Sequence, residues 1–132
     1  MEDQTPTYLS ETDVIQLHDE IIRRMGGMSG VRDHGAVQSS VAQPRMQVFG
    51  QERFPGIYDK AAAYCFFLVK NHPFFDGNKR TGFLASLHFL LINGIVPLVE
   101  QDEMYETING IARGTVDIGE LAAILRKGGG RA

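Results

Sequence analysis

Only one cysteine, Cys65, stands among the 132 residues, so no internal disulfide can form. Its place inside an apolar run predicts a buried thiol in a reducing compartment rather than a catalytic nucleophile. Positive charge is not in excess either: 16 acidic against 13 basic side chains give a formal net charge of -3. That balance argues against a broad electrostatic footprint for nucleic acid or anionic membrane, while leaving room for a local basic site. The longest apolar run, Ala61 to Val69, falls far short of the roughly 20 residues that cross a bilayer. The opening MEDQTPTYLS lacks the basic and then apolar layout of a signal peptide. A cytoplasmic protein is expected, with no membrane association and no direct nucleic-acid binding. No internal repeat, linker or second domain is visible. What is present, 43% hydrophobic and 22% charged residues, fits one domain over 1–132 with a single core. The ends, 1–7 and 128–132, are expected to be flexible; in GGGRA the glycines carry a high ordering cost and offer no side chains to pack.

Helical periodicity dominates the chain and predicts an all-α fold. Ser10 with Asp13 three residues on resembles a capping box, and Val14, Leu17, Ile21, Ile22 and Met25 then recur at helical spacing until Gly26 and Gly27. RDHGAVQSSVAQP predicts a shorter helix from near Asp33 to before Pro44. Turn residues around short apolar pieces in Arg45 to Gly56 predict a hairpin or an irregular flap. Tyr58 to Asn71 is apolar on nearly every side between Lys60 and Lys70, as a central helix surrounded by others must be. From Lys79 to Asn93, residues Phe83, Leu84, Leu87, Leu90 and Leu91 suggest an apolar stripe, closed by Asn93-Gly94. IVPLV is too short, and too interrupted by Pro97, to read as a strand. Two more helices are expected, Asp102 to about Arg113 and Asp117 to about Arg126. The acidic cluster of Glu100, Asp102, Glu103 and Glu106 fits a helix N-terminus favoured by the macrodipole rather than a metal site.

Between the two most apolar helices lies NHPFFDGNKRTG, Asn71 to Gly82. Pro73 disfavours helical backbone at the residue before it, so His72 is expected to leave the central helix extended. The next helix begins near Gly77 to Lys79, where the first N–H groups lack intrahelical acceptors and the dipole favours an anion; Lys79 and Arg80 share that turn. This predicts a phosphate seat. Asp76 at its entrance has hard oxygens that suit a magnesium ion completed by substrate phosphates and water. Asn78 can fix either the loop backbone or a phosphate oxygen. His72, with an unperturbed pKa of about 6.5, is within reach of general-base work near neutral pH. Phe74 and Phe75 can anchor the loop in the core. GNKRT is not the end of a P-loop, which needs G-x-x-x-x-G-K-[ST] after a strand. His72 and Asp76 alone are too few ligands for zinc.

These residues resemble the Fic/Doc family signature H-x-F-x-[DE]-[AG]-N-x-R: His72, Phe74, Asp76, Gly77, Asn78 and Arg80 match position for position. The likeness extends to LSETDVIQLHDEII, GVRDHGAVQSSVAQP and AAAYCFFLVKNHPF. It implies a compact helical domain with a flap before the central helix, and transfer of part of a nucleoside triphosphate to a protein hydroxyl. Adenylylating members carry Gly between the Asn and the Arg, and a second Arg three positions after the first; here those positions hold Lys79 and Phe83. The departures point to the Doc (death-on-curing) branch, toxins of toxin–antitoxin pairs. Such a toxin would move the γ-phosphate of ATP to a Ser/Thr hydroxyl on a target protein, reportedly a translation elongation factor, to arrest translation. By resemblance, His72 is the base, Asp76 holds Mg2+, and Asn78, Lys79 and Arg80, with Gly77 in the turn, bind and stabilise the phosphates. The flap would align an extended target segment. No Glu is followed by Gly or Asn, so the family's inhibitory [ST]-x-x-x-E-[GN] motif is missing, and inhibition in trans by an antitoxin helix offering a carboxylate to Arg80 is implied. A nucleotidyl transferase and a non-catalytic binding module are the alternatives; Lys79 and Phe83 separate the first, and His72 and Asp76 disfavour the second. His18, His34 and His88 are expected to be packing or capping histidines, and Arg32 and Asp33 an ion pair or a cap.

Overall fold

The computed structural model describes residues 5–131. Ser10 caps the first helix, α1 (Glu11–Met25): its hydroxyl accepts from the Asp13 N–H at 3.1 Å and the Asp13 carboxylate accepts from the Ser10 N–H at 2.8 Å. Gly26, at φ 81°, ends it. Asp33 caps α2 (His34–Ala42) by accepting from the Ala36 N–H. A 3-10 turn, Gln43–Arg45, leads to a hairpin of β1 (Gln47–Val48) and β2 (Gln51–Glu52), with Gln47 opposite Glu52 and Val48 opposite Gln51. Phe49 and Gly50 turn it with positive φ at both positions, 52° and 78°, as the tight two-residue loop requires.

The central helix, α3 (Ile57–Asn71), buries Ala61, Ala62, Ala63, Tyr64, Cys65, Leu68 and Val69 and packs against α2, α4, α5 and α6. Lys60, which brackets the apolar run, is only 2% exposed. Its ammonium donates to the Glu52 carboxylate at 3.0 Å and to the Phe54 carbonyl, so a buried charge with two partners ties the hairpin base to α3. Phe54 in turn packs edge-on against Phe67, one helical turn before the end of α3. The flap is therefore rooted close to the motif.

Helix α4 (Asn78–Ile92) keeps only part of the apolar stripe expected of it: Leu90 is buried and Phe83 and Leu87 pack against the core. Its buried residues are Asn78, Thr81, Gly82, Ala85, Ser86, Phe89 and Leu90, while Leu84 and Leu91 are exposed. The reason is close approach. A Cβ at Gly82 would stand 3.0 Å from the Cys65 carbonyl oxygen, so a glycine sets the closest approach to α3 while Leu84 and Leu91 fall outside the contact.

Glu100 caps α5 (Gln101–Arg113), accepting from the Asp102 and Glu103 N–H groups, and Asp117 caps α6 (Ile118–Gly128). The acidic cluster thus serves a helix start, as its sequence position suggested. Two expectations need correction. Ile95–Pro97 forms a strand, β3, and Gly129–Arg131, expected to be loose, pairs with it antiparallel as β4. Backbone ladder bonds need no side chains, and two glycines come close to neighbours no larger residue would clear: a Cβ at Gly128, which ends α6, would clash with the Leu98 backbone, and one at Gly129 with the Tyr58 ring. At the other end, Thr7 and the Asn93 amide exchange two hydrogen bonds, of 2.8 and 3.0 Å, and the Leu9 backbone is bonded to the buried Tyr64 hydroxyl. Residues 1–4 and 132, also expected to be flexible, lie outside the described residues. Among the described residues, no helix is long and apolar enough to cross a membrane.

Candidate active site

The loop between α3 and α4 is built by backbone choices at its two ends. His72 terminates α3 in left-handed backbone, φ 51° and ψ 55°, rather than the extended conformation that Pro73 alone would dictate. A left-handed residue is the commonest way to end a helix, and here Arg32 supports it: the guanidinium donates to the His72 carbonyl at 2.8 Å and to the Asn71 carbonyl at 3.2 Å. The Pro73 carbonyl accepts from the Arg32 and Asp33 N–H groups. Arg32 is thus a cap for carbonyls left free at the end of α3 and, among the described residues, not half of an ion pair.

Phe74 is fully buried, while Phe75 is 47% exposed, so only one of the two rings anchors the loop. Asn78 holds the main chain around that anchor. Its Oδ1 accepts from the Phe74 N–H and its Nδ2 donates to the Phe74 carbonyl, both at 2.9 Å and both buried. Of the two roles open to this amide, the loop backbone takes it. The Asp76 Oδ2 accepts from the Met28 N–H at 2.8 Å, fastening the loop to the segment after α1. Gly77, at φ 79°, then starts α4, whose first intrahelical bond runs from the Thr81 N–H to the Gly77 carbonyl. The N–H groups of Asn78, Lys79 and Arg80 have no acceptor within the helix.

His72, Asp76, Gly77, Asn78, Lys79 and Arg80 all line one cleft of about 780 Å³, roofed by Ile22, Met25 and Gly27 from the end of α1. His72, Asp76, Lys79 and Arg80 are exposed in it. Lys79 and Arg80 form no ion pair among the described residues, and no acidic residue shares their turn. Two cations at a helix N-terminus oppose the dipole unless an anion joins them. Lys70, also on the cleft wall, is committed elsewhere: its ammonium donates to the Ile111 carbonyl at the end of α5. For magnesium, the donor set offers the second Asp76 oxygen. Among the described residues there is no group of three or more His, Cys, Asp or Glu that could hold a metal. A hard ion that keeps its waters and takes phosphate oxygens fits one free carboxylate oxygen; an all-protein cage does not.

Arg32 was expected as an ion pair or a cap and His18 as a packing or capping histidine, and the structure bears out the cap and the packing, but neither was placed at the site. His18 is fully buried, with its ring stacked on Phe74 at 3.8 Å and its Nε2 2.7 Å from the Asp76 carbonyl oxygen. The available signal was register: His18 shares the inward stripe of Val14 and Ile21, and a histidine there must satisfy a ring nitrogen. His34 and His88 are exposed. Cys65 is buried, and burial pushes its thiol up to about 12.

His72, Asp76 and two cations with no ion pair among the described residues thus meet in one cleft at a helix start, where free N–H groups and the dipole favour an anion. Comparison with known proteins gives the family: the model described as the Fic/DOC family matches residues 8–90, and the chain belongs to that family. It is 38% identical over 102 residues to Toxin Doc of Mycolicibacterium smegmatis (strain ATCC 700084 / mc(2)155), covering 76% of this chain and 78% of that protein. It is 30% identical over 120 residues to Protein kinase doc of Escherichia phage P1, covering 91% and 94%.

Proposed function

We propose that this chain is a Doc-like toxin and a protein phosphotransferase, moving the γ-phosphate of ATP to a Ser/Thr hydroxyl of a cytoplasmic target of the elongation-factor kind. The observation that carries the reading is the convergence of His72, Asp76 and the unpaired Lys79 and Arg80 on one cleft at the start of α4. The name of the phage relative, a protein kinase, supports the phosphoryl outcome, as does Lys79 in place of the Gly of adenylylating members.

In this mechanism the γ-phosphate lies against the first turn of α4. Its oxygens meet the free N–H groups there and the side chains of Lys79 and Arg80, which take up charge as it develops. His72 accepts the proton of the attacking hydroxyl while the new O–P bond forms and the bond to the β-phosphate oxygen breaks, releasing ADP. The proton ends on His72. Magnesium, held through the free Asp76 oxygen, supplies neutralising charge to the phosphates when bound. Asn78 keeps the loop in shape, and the hairpin presents the target segment. Restraint comes from an antitoxin chain, in keeping with the relative named a toxin; it lays a helix near the cleft with a carboxylate on Arg80.

Intact-mass analysis of a bacterial translation extract with ATP and magnesium tests the reading, comparing wild type with His72→Ala. One phosphate added to a target by wild type alone is expected. An added nucleotide monophosphate would overturn the phosphoryl assignment in favour of nucleotidyl transfer, and equal modification by His72→Ala would remove His72 as the base.

A further inference from the structure

We infer that His18 is a positioning residue for the phosphate seat: it holds the Asp76–Gly77 peptide so that the Gly77 N–H joins those of Asn78, Lys79 and Arg80 in facing the anion. The inference rests on the phosphate chemistry proposed above and adds to it a residue from another helix. A carbonyl oxygen can only accept, so the 2.7 Å contact makes the His18 Nε2 the donor to Asp76. The ring has no freedom to turn away. It is fully buried and lies nearly parallel to Phe74, 5° between planes. Among the described residues its Nδ1 has no hydrogen-bond partner, and an Asp19 carboxylate oxygen lies 3.9 Å from it.

The consequence follows from peptide geometry. The chain contains no cis peptide bonds among the described residues, and in a planar trans unit the N–H points opposite to the C=O. With the Asp76 carbonyl drawn down onto buried His18, the Gly77 N–H is turned up, and Gly77 lines the cleft. Nothing local enforces this. Rotating that peptide changes ψ of Asp76 and φ of Gly77, and glycine accepts positive or negative φ with similar ease. Gly77 sits at φ 79°, so without a holder the unit is free to invert, replacing a donor in the seat with a carbonyl oxygen that repels phosphate. The His18 bond supplies the holder, and one N–H more or less is a difference a polyanion registers strongly.

The probe is inorganic tripolyphosphate with magnesium, titrated by calorimetry into the full chain and two variants. His18→Phe keeps the stacked ring and loses the donor; His18→Gln returns an N–H donor near the Nε2 position. His18→Phe is expected to weaken binding about tenfold, the scale of one charge-assisted hydrogen bond, and His18→Gln to restore most of it. A folded His18→Phe with wild-type affinity, or His18→Gln as weak as His18→Phe, overturns the inference and leaves the proposed function standing. No binding by wild type overturns both. Should His18→Phe fail to fold, the wild-type amide spectrum decides: tripolyphosphate must shift the Gly77 N–H along with those of Asn78 to Arg80, and an unmoved Gly77 refutes the assignment.

Discussion

Replacing Asn78 with alanine isolates the part of the site that is architecture rather than chemistry. The substitution removes two hydrogen bonds of 2.9 Å and leaves the N–H and carbonyl of a fully buried Phe74 without partners. Each orphaned buried peptide group costs about 1–3 kcal/mol. Because the loop borders a wet cleft that can lend some solvation, the lower half of that range applies, giving roughly 3 kcal/mol for the pair. For a chain of this size, 1 kcal/mol moves the melting temperature by about 3–5 °C, so a fall of roughly 10 °C is expected in scanning calorimetry. Asn78→Asp sharpens the test. It keeps an acceptor for the Phe74 N–H but sets an oxygen against the Phe74 carbonyl, so at neutral pH its loss should match or exceed that of alanine. A fall under about 2 °C for Asn78→Ala would correspond to well under 1 kcal/mol and would refute the clamp. Greater stability for the Asp than for the Ala variant would assign the whole effect to the Phe74 N–H.

Two further expectations concern the core. Gly82→Val would drive a branched side chain toward the Cys65 carbonyl oxygen, 3.0 Å from its Cβ, and the Val69 methyl at 3.2 Å; a loss of about 2 kcal/mol or more is expected in urea unfolding, and an unchanged midpoint would mean that α3 and α4 can part without cost. The Cys65 thiol is raised from 9.0 to about 12 by burial, and burial also raises the Tyr64 hydroxyl. Their neutral forms are favoured in the folded state, so this stabilisation is complete below about pH 9 and drains away as pH climbs toward 12. The urea midpoint should therefore fall across that window, and a flat profile would show the thiol to be in contact with water.

The helices were legible because their signals are local: a Ser10 box, Asp33 and Asp117 caps, and apolar runs with few ways to be satisfied. The face of α4 was legible only in part, because the eye follows large residues, whereas the closest approach to α3 is set by Gly82. β3 and β4 were missed since their pairing joins segments far apart in sequence, with a proline and three glycines that argue against strands taken singly. Within the site, the residues that face the cleft were visible in one stretch. Those that shape it were not: Arg32 acts on carbonyls and His18 on another, and contacts to main chain leave no complementary pair of side chains for a reader to notice.

The segment from Asp76 back to Asn71 is held from outside itself by His18 under the Asp76 carbonyl, by the Met28 N–H on the Asp76 carboxylate, by the Arg32 and Asp33 N–H groups on the Pro73 carbonyl, and by the Arg32 guanidinium on the carbonyls that end α3. The signature is consequently not a portable cassette. Grafted between two helices of another scaffold, the nine residues from His72 to Arg80 would carry every reactive side chain and lack the mould that sets them; a transplant that works must bring α1 and the bend after it as well.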